Sequence, residues 1–159
     1  MRKRVYHHFP VDDVEFTQNY SFWGNLPYLV KTLAGMNNRS GSMTLTGNTG
    51  KILDVKRNIK VDIAEANVDF KSLAPKDLDA VLEGIEDNGT LDFRINILYS
   101  HLNKDYIRVP FNEDTFLVRG DLNQGILILK IHKLNGPGHT TCSEIASTMV
   151  DEIIREDEK

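Results

Sequence analysis

Between residues 90 and 134, apolar and polar side chains alternate through four successive runs, "TLDFRINILY", "DYIRVPF", "DTFLVRG" and "GILILKIHKL". A period of two puts the apolar side chains on one face of a strand, so each run predicts a strand with one face buried. The segments between the later runs, "NED" and "DLNQG", have the composition of hairpin turns, which join antiparallel neighbours. The stretch "ILILKI", residues 126–131, is apolar enough to read as a central buried strand. The same period appears earlier in "SMTLT", "KILDVK" and "IKVDIAEA", with the glycine-rich "TGNTG" between the first two. These three predict a meander with one buried face.

The period changes to three and four at three places. Asn25 can cap a helix that begins with Leu26 and Pro27, and Leu26, Leu29, Val30, Leu33 and Met36 form its apolar stripe. This helix is expected to end at "NNRSG", with Gly41 beyond it. Pro75 opens a second helix whose stripe is Leu78, Val81, Leu82 and Ile85, and Asp77 and Asp79 suit the N-terminal end of its dipole. "DNG", residues 87–89, closes it, with Asn88 or Gly89 able to take the left-handed conformation. A final helix starts at Thr140 or Thr141 and carries Ile145, Met149 and Ile153 beside Ala146, Val150 and Ile154. The fold class predicted is α+β: an antiparallel-rich sheet of about seven strands with about three helices, the last one C-terminal. Residues 1–159 are read as one domain, with 1–100 and 101–159 as candidate sub-halves and 155–159 as a frayed acidic tail.

Charge narrows the function classes. The chain has 19 basic and 23 acidic residues, a formal net charge of −4, and five of its last nine residues are acidic. Nucleic-acid binding needs a basic patch or stripe, and the only basic cluster is Arg2, Lys3 and Arg4. No nucleic-acid partner is expected. No window approaches 18 uninterrupted apolar residues, so no membrane partner is expected either. The single cysteine, Cys142, permits no intramolecular disulfide and fits a reducing compartment, which makes the cytoplasm the expected location.

Each candidate for chemistry has a competing structural explanation. "GNTGK", residues 47–51, lacks the glycine spacing, the following hydroxyl residue and the following helix of a phosphate loop. "NGPGHTT" does precede a helix, and Gly136, Gly138, His139, Thr140 and Thr141 are the candidate anion-binding residues. Against them, Thr141 and Glu144 have capping-box spacing, in which the helix's own amides are satisfied from within the chain. The five histidines show no metal-ligand spacing, and no metal or cofactor is expected. Cys142 with His139 is a weak nucleophile pair, and the acidic pairs read as turn or helix-start carboxylates. No catalytic residue is nominated. "YSFWGNLPYLV", residues 20–30, is the densest aromatic segment; Trp23 and Tyr28 are candidate interface anchors, with core packing as the alternative.

Residues 22–95 resemble a PATAN domain, the N-terminal module of PatA-type bacterial response regulators. The resemblance lies in "FWGNLPYLVKTL", in "RSGSMTLTG" leading to "GKILDV", in "VDIAEA", and in "DLDAVLEGIEDNGTLDFRI". It departs where "RNIK", residues 57–60, replaces the usual "DG" turn, and residues 96–159 have no counterpart. The resemblance implies a non-catalytic interaction module in signalling and carries over no site residue. From the residues, the expected function is a protein-interaction or regulatory module, or a small subunit of an assembly, partnered by another protein or by a second copy. The alternative is a phosphate- or nucleotide-binding protein or enzyme with its site at residues 136–141.

Overall fold

In a computed structural model, the described residues are 9–46, 52–64, 70–84 and 89–157. Seven strands form one antiparallel sheet: β1 (Phe16–Ser21), β2 (Ser40–Thr46), β3 (Ile52–Ala64), β4 (Lys71–Ser72), β5 (Thr90–Leu102), β6 (Arg108–Asn123) and β7 (Ile126–Asn135). Their spatial order is β1-β7-β6-β5-β3-β2, and β4 pairs with the far end of β3. Three helices accompany them: α1 (Leu26–Ala34), α2 (Leu78–Gly84) and the C-terminal α3 (Cys142–Asp157). This is the α+β class that the two periodicities predict. β5 runs across residue 100, so one sheet spans both candidate sub-halves.

The seven strands are nevertheless not the seven segments read from sequence. "KILDVK" and "IKVDIAEA" belong to the single strand β3, and "RNIK" stays paired, Arg57 opposite Tyr99 and Ile59 opposite Ile97. "DYIRVPF" and "DTFLVRG" likewise merge, from Arg108 onward, into β6, where Asn112 and Asp114 face Tyr99 and Ile97. In β3 the polar insertion keeps the phase of the alternation, whereas in β6 the inward phase moves from Val109 to Asn112 and Asp114 and a bulge absorbs the extra residue. In both the cross-strand partner continues past the insertion, and the turn chemistry of the individual residues is overridden. A register shift between Tyr99 and Ser100 leaves Phe111 as the extra residue of a bulge. The two strands that restore the count, β1 and β4, had no clear periodic signal.

One face of the sheet carries Ile63, Phe93, Ile95, Phe116, Val118, Leu129 and Ile131, all buried. Leu26, Leu29 and Leu33 of α1 and Ile145 and Met149 of α3 join them in one core. Local chemistry sets the helix ends. Asn25 Oδ1 accepts from Tyr28 N at 2.9 Å, as an N-cap should. α1 stops at Ala34, short of "NNRSG". Asn37 Oδ1 instead accepts from Val61 N at 2.7 Å, and Asn38 N donates to the Ile59 carbonyl at 2.7 Å with φ at +68°. Pro75–Asp77 is a 3₁₀ turn leading into α2. "TGNTG" after Thr46, Ile85 and Asn88 lie outside the described residues, whereas Gly89 has φ +89°. α3 begins at Cys142, one or two residues later than expected, and stays helical to Asp157, inside the segment expected to fray.

The other face of the sheet is ordered by charge. Arg119 and Asp92 make a buried two-point contact at 2.8 and 2.9 Å, and the Phe9 ring covers the guanidinium at 5.3 Å. Arg94 pairs with Asp62 at 2.8 Å. Among the described residues no helix is long and apolar enough to cross a membrane.

Candidate functional site

The loop between β7 and α3 is closed by a carboxylate from within the sheet. Asp114, with no exposed surface, lies on the inward face of β6. Its Oδ1 accepts from Gly138 N at 2.7 Å, and its Oδ2 accepts from Thr140 N at 3.2 Å and from the Tyr99 hydroxyl at 2.6 Å. The approach is so close that a Cβ on Gly136, at φ +113°, would collide with the Asp114 carboxylate and the Glu113 carbonyl. Only glycine satisfies both demands. Burial, and then the hydrogen bond to Asp114, hold the Tyr99 hydroxyl far above the ordinary phenol range, so it remains a proton donor.

At the first turn of α3, Glu144 folds back. Glu144 N donates to Thr141 Oγ1 at 3.1 Å and Thr141 N donates to Glu144 Oε1 at 3.3 Å, a reciprocal capping box. The amides of Gly138, Thr140 and Thr141 thus already bond to carboxylates of this chain. His139 packs edge-on against Tyr99, ring centroids 5.1 Å apart. The depression in front of the helix holds Glu15 as well as Lys133. Gly136, Gly138, His139, Thr140 and Thr141 are brought together as a loop, but around internal carboxylates, which would repel a phosphate. Burial, and then the charge of Glu15, push the Cys142 thiol up, opposite to what an activated thiolate requires. Among the described residues no group of three or more His, Cys, Asp or Glu side chains is placed to hold a metal ion.

The aromatic segment has a different character. Phe22 is buried and joins the core, whereas Trp23 is 84% exposed. Phe22 N donates to the Gly125 carbonyl at 2.8 Å, tying the segment to the β6-β7 turn. The Trp23 ring lies directly over Gly125, where any Cβ would meet it. Beside it runs a groove of about 410 Å³ bounded by Tyr20, Trp23, Tyr28, Leu127, Val150 and Ile154. Tyr28 is half-buried and its ring stands 5.9 Å from that of Phe22. Ile154, at 51% exposure, forms part of the α3 wall. The fold therefore brings Trp23 and Tyr28 to one groove, although they occupy different elements.

Asp114, Tyr99 and Arg57 were not singled out from sequence. Each sits at an inward register of its strand, in phase with Phe116 and Val118, with Ile95 and Ile97, or with Val55 and Ile59. For Asp114 and Arg57 the signal was a charged residue at an apolar position of an alternating run. Splitting the runs at "NED" and "RNIK" hid it. No family model, curated protein or solved structure matches this chain.

Proposed function

We propose that this chain is a non-catalytic interaction module of the cytoplasm, regulatory in role, that receives an amphipathic segment of a partner protein in the groove beside Trp23. The observation that carries this reading is a tryptophan left 84% exposed on the rim of an apolar groove. Exposed aromatics beside a concave apolar surface are the usual anchors of protein interfaces, and an amphipathic helix is the usual occupant of such a groove. The end of α3 that forms one wall carries exposed Asp151, and the sequence continues with Glu156, Asp157 and Glu158. Charge complementarity favours a partner segment with a basic polar face. The PATAN resemblance of residues 22–95 points toward the same kind of role. The amides of Gly138, Thr140 and Thr141 already bond to carboxylates of this chain, which argues against a phosphate or nucleotide on them.

Trp23 is the sole tryptophan, so its fluorescence reports on this groove alone. A synthetic amphipathic helix with leucines on one face and lysines on the other is the probe, titrated into the full chain with light scattering in parallel. The expected result is a saturable blue shift of Trp23 emission that Ile154→Glu abolishes. A blue shift that follows the chain's own concentration, with doubled mass, would make a second copy the occupant. Emission unmoved by either would refute the groove as an interface.

A further inference from the structure

A second concavity lies on the opposite side of α3, enclosed between that helix, β3, β5 and the end of α1, with a volume of about 170 Å³. Its floor is apolar, built from Ile95, Ile97 and Ile145, each at most 2% exposed. Two guanidinium groups, Arg39 and Arg57, stand at its rim together with Thr140. A cavity of about 150 Å³ with aliphatic walls takes one benzene ring. The space here thus suits a six-membered ring or a chain of about six carbons.

The two arginines differ in what already holds them. Arg39 places both terminal nitrogens on Glu152 at 2.9 Å and also donates to the Gly35 carbonyl at 3.2 Å. Its fork is committed. Arg57 reaches Thr140 Oγ1 only at 3.4 Å and Glu144 Oε2 only at 3.5 Å. A charge-assisted pair normally closes to about 2.7–2.9 Å. Both of its neighbours are engaged elsewhere: Thr140 Oγ1 lies 2.6 Å from the Tyr99 hydroxyl, and Glu144 caps α3. Because the Tyr99 proton goes to Asp114, Thr140 donates to Tyr99, and its oxygen is left to accept from Arg57. The guanidinium thus ends a hydrogen-bonded chain that is anchored in the sheet and leaves the fork over an apolar chamber.

We propose that this cavity is a binding site for a small organic monocarboxylate, an apolar body of about ring size, with Arg57 as its counter-ion. The guanidinium fork matches a carboxylate in two-point geometry. An incoming monoanion replaces Glu144 at Arg57, and Glu144, half-exposed, keeps its bond to Thr141. A dianion is disfavoured, because Asp114 lies just behind Tyr99 and Thr140 and Arg39 is neutralised by Glu152. The apolar floor gives the class its second requirement: the charge alone, as in phosphate or acetate, leaves the chamber unfilled. This site is separate from the groove at Trp23, which the other end of α3 borders.

The test is calorimetric titration of the full chain with benzoate, hexanoate, benzyl alcohol and inorganic phosphate. Benzoate or hexanoate is expected to bind saturably below about 10 mM, at least about tenfold more tightly than benzyl alcohol or phosphate, as one charge-assisted contact implies. Arg57→Gln is expected to erase that tenfold advantage while leaving benzyl alcohol binding as it was. A second measurement uses the unsubstituted protein: in methyl NMR spectra, benzoate is expected to move Ile97 and Ile145 and leave Leu127 still. No saturable binding of either carboxylate, phosphate binding as tight as benzoate, or shifts at Leu127 in place of Ile97 would each overturn the proposal.

Discussion

The two ends of α3 resolve the same problem in opposite ways. At its N-terminal end, polar groups are numerous and inward-facing, and the chain satisfies them itself: Asp114 takes two loop amides and the Tyr99 hydroxyl, and Glu144 closes the capping box. At its C-terminal end, apolar groups are numerous and the chain leaves them open, with Trp23 and Ile154 facing solvent. Buried polar groups cannot be left unpaired without a cost of about 1–3 kcal/mol each, whereas exposed apolar surface is tolerated until a partner covers it. Internal satisfaction thus occupies the loop amides, and incomplete burial at the groove is what the proposed interface rests on.

The comparison predicts large stability effects at the closed end and small ones at the open end. Asp114→Ala removes the acceptor of three donors, two of them buried, and is expected to lower unfolding free energy by about 3–5 kcal/mol in chemical denaturation. A loss below about 1 kcal/mol would show that water replaces the carboxylate and that the end is not closed. Tyr99→Phe deletes one hydroxyl and should cost about 1–2 kcal/mol. It also sharpens the pH behaviour. The folded chain retains the Tyr99 proton at a pH where the unfolded chain, titrating near 10, releases it. The unfolded state then binds fewer protons, and stability falls as pH rises above about 10. The decline is expected to be shallower in Tyr99→Phe, measured by urea midpoints at successive pH values. Thr141→Ala breaks the capping box and should cost about 1 kcal/mol by thermal unfolding. Trp23→Ala should change stability by less than about 0.5 kcal/mol yet weaken capture of the basic amphipathic probe at least about tenfold in calorimetry.

The class of fold was legible because two periods, 2 and 3.6, alternate cleanly along the chain. What was not legible is where a polar residue interrupts a strand and where it merely sits on one. Arg57 and Asp114 look like turn residues in a linear string. They prove to be inward-facing because β5 lies between β3 and β6 and holds both in register, Tyr99 opposite Arg57 and Ile97 opposite Asp114. That constraint is tertiary. Trp23 and Tyr28 could be named from composition, since large aromatics beside a helix start are few. Only the packing separates them from Phe22, which is buried. The capping partnership of Thr141 and Glu144 is local and was legible in the spacing itself; the acceptor role of Asp114, more than twenty residues from its loop, was not.

The early stop of α1 has a consequence for association. Between the stretch of β3 covered by β2 and the stretch covered by β4, the backbone of β3 would otherwise face outward over Ile59 and Val61. Asn38 N and the Arg39 carbonyl bond to Ile59, Asn37 Oδ1 accepts from Val61 N, and Leu73 N donates to the Val61 carbonyl. One asparagine side chain and the backbone of residues 38, 39 and 73 thus stand in for the missing strand, and this stretch offers no template to an incoming chain. Among the described residues, strand-by-strand growth into fibres is left with the outer rims of β1, β2 and the two-residue β4. Loss of the Asn37 amide would remove the acceptor of Val61 N and open a new one in the middle of β3.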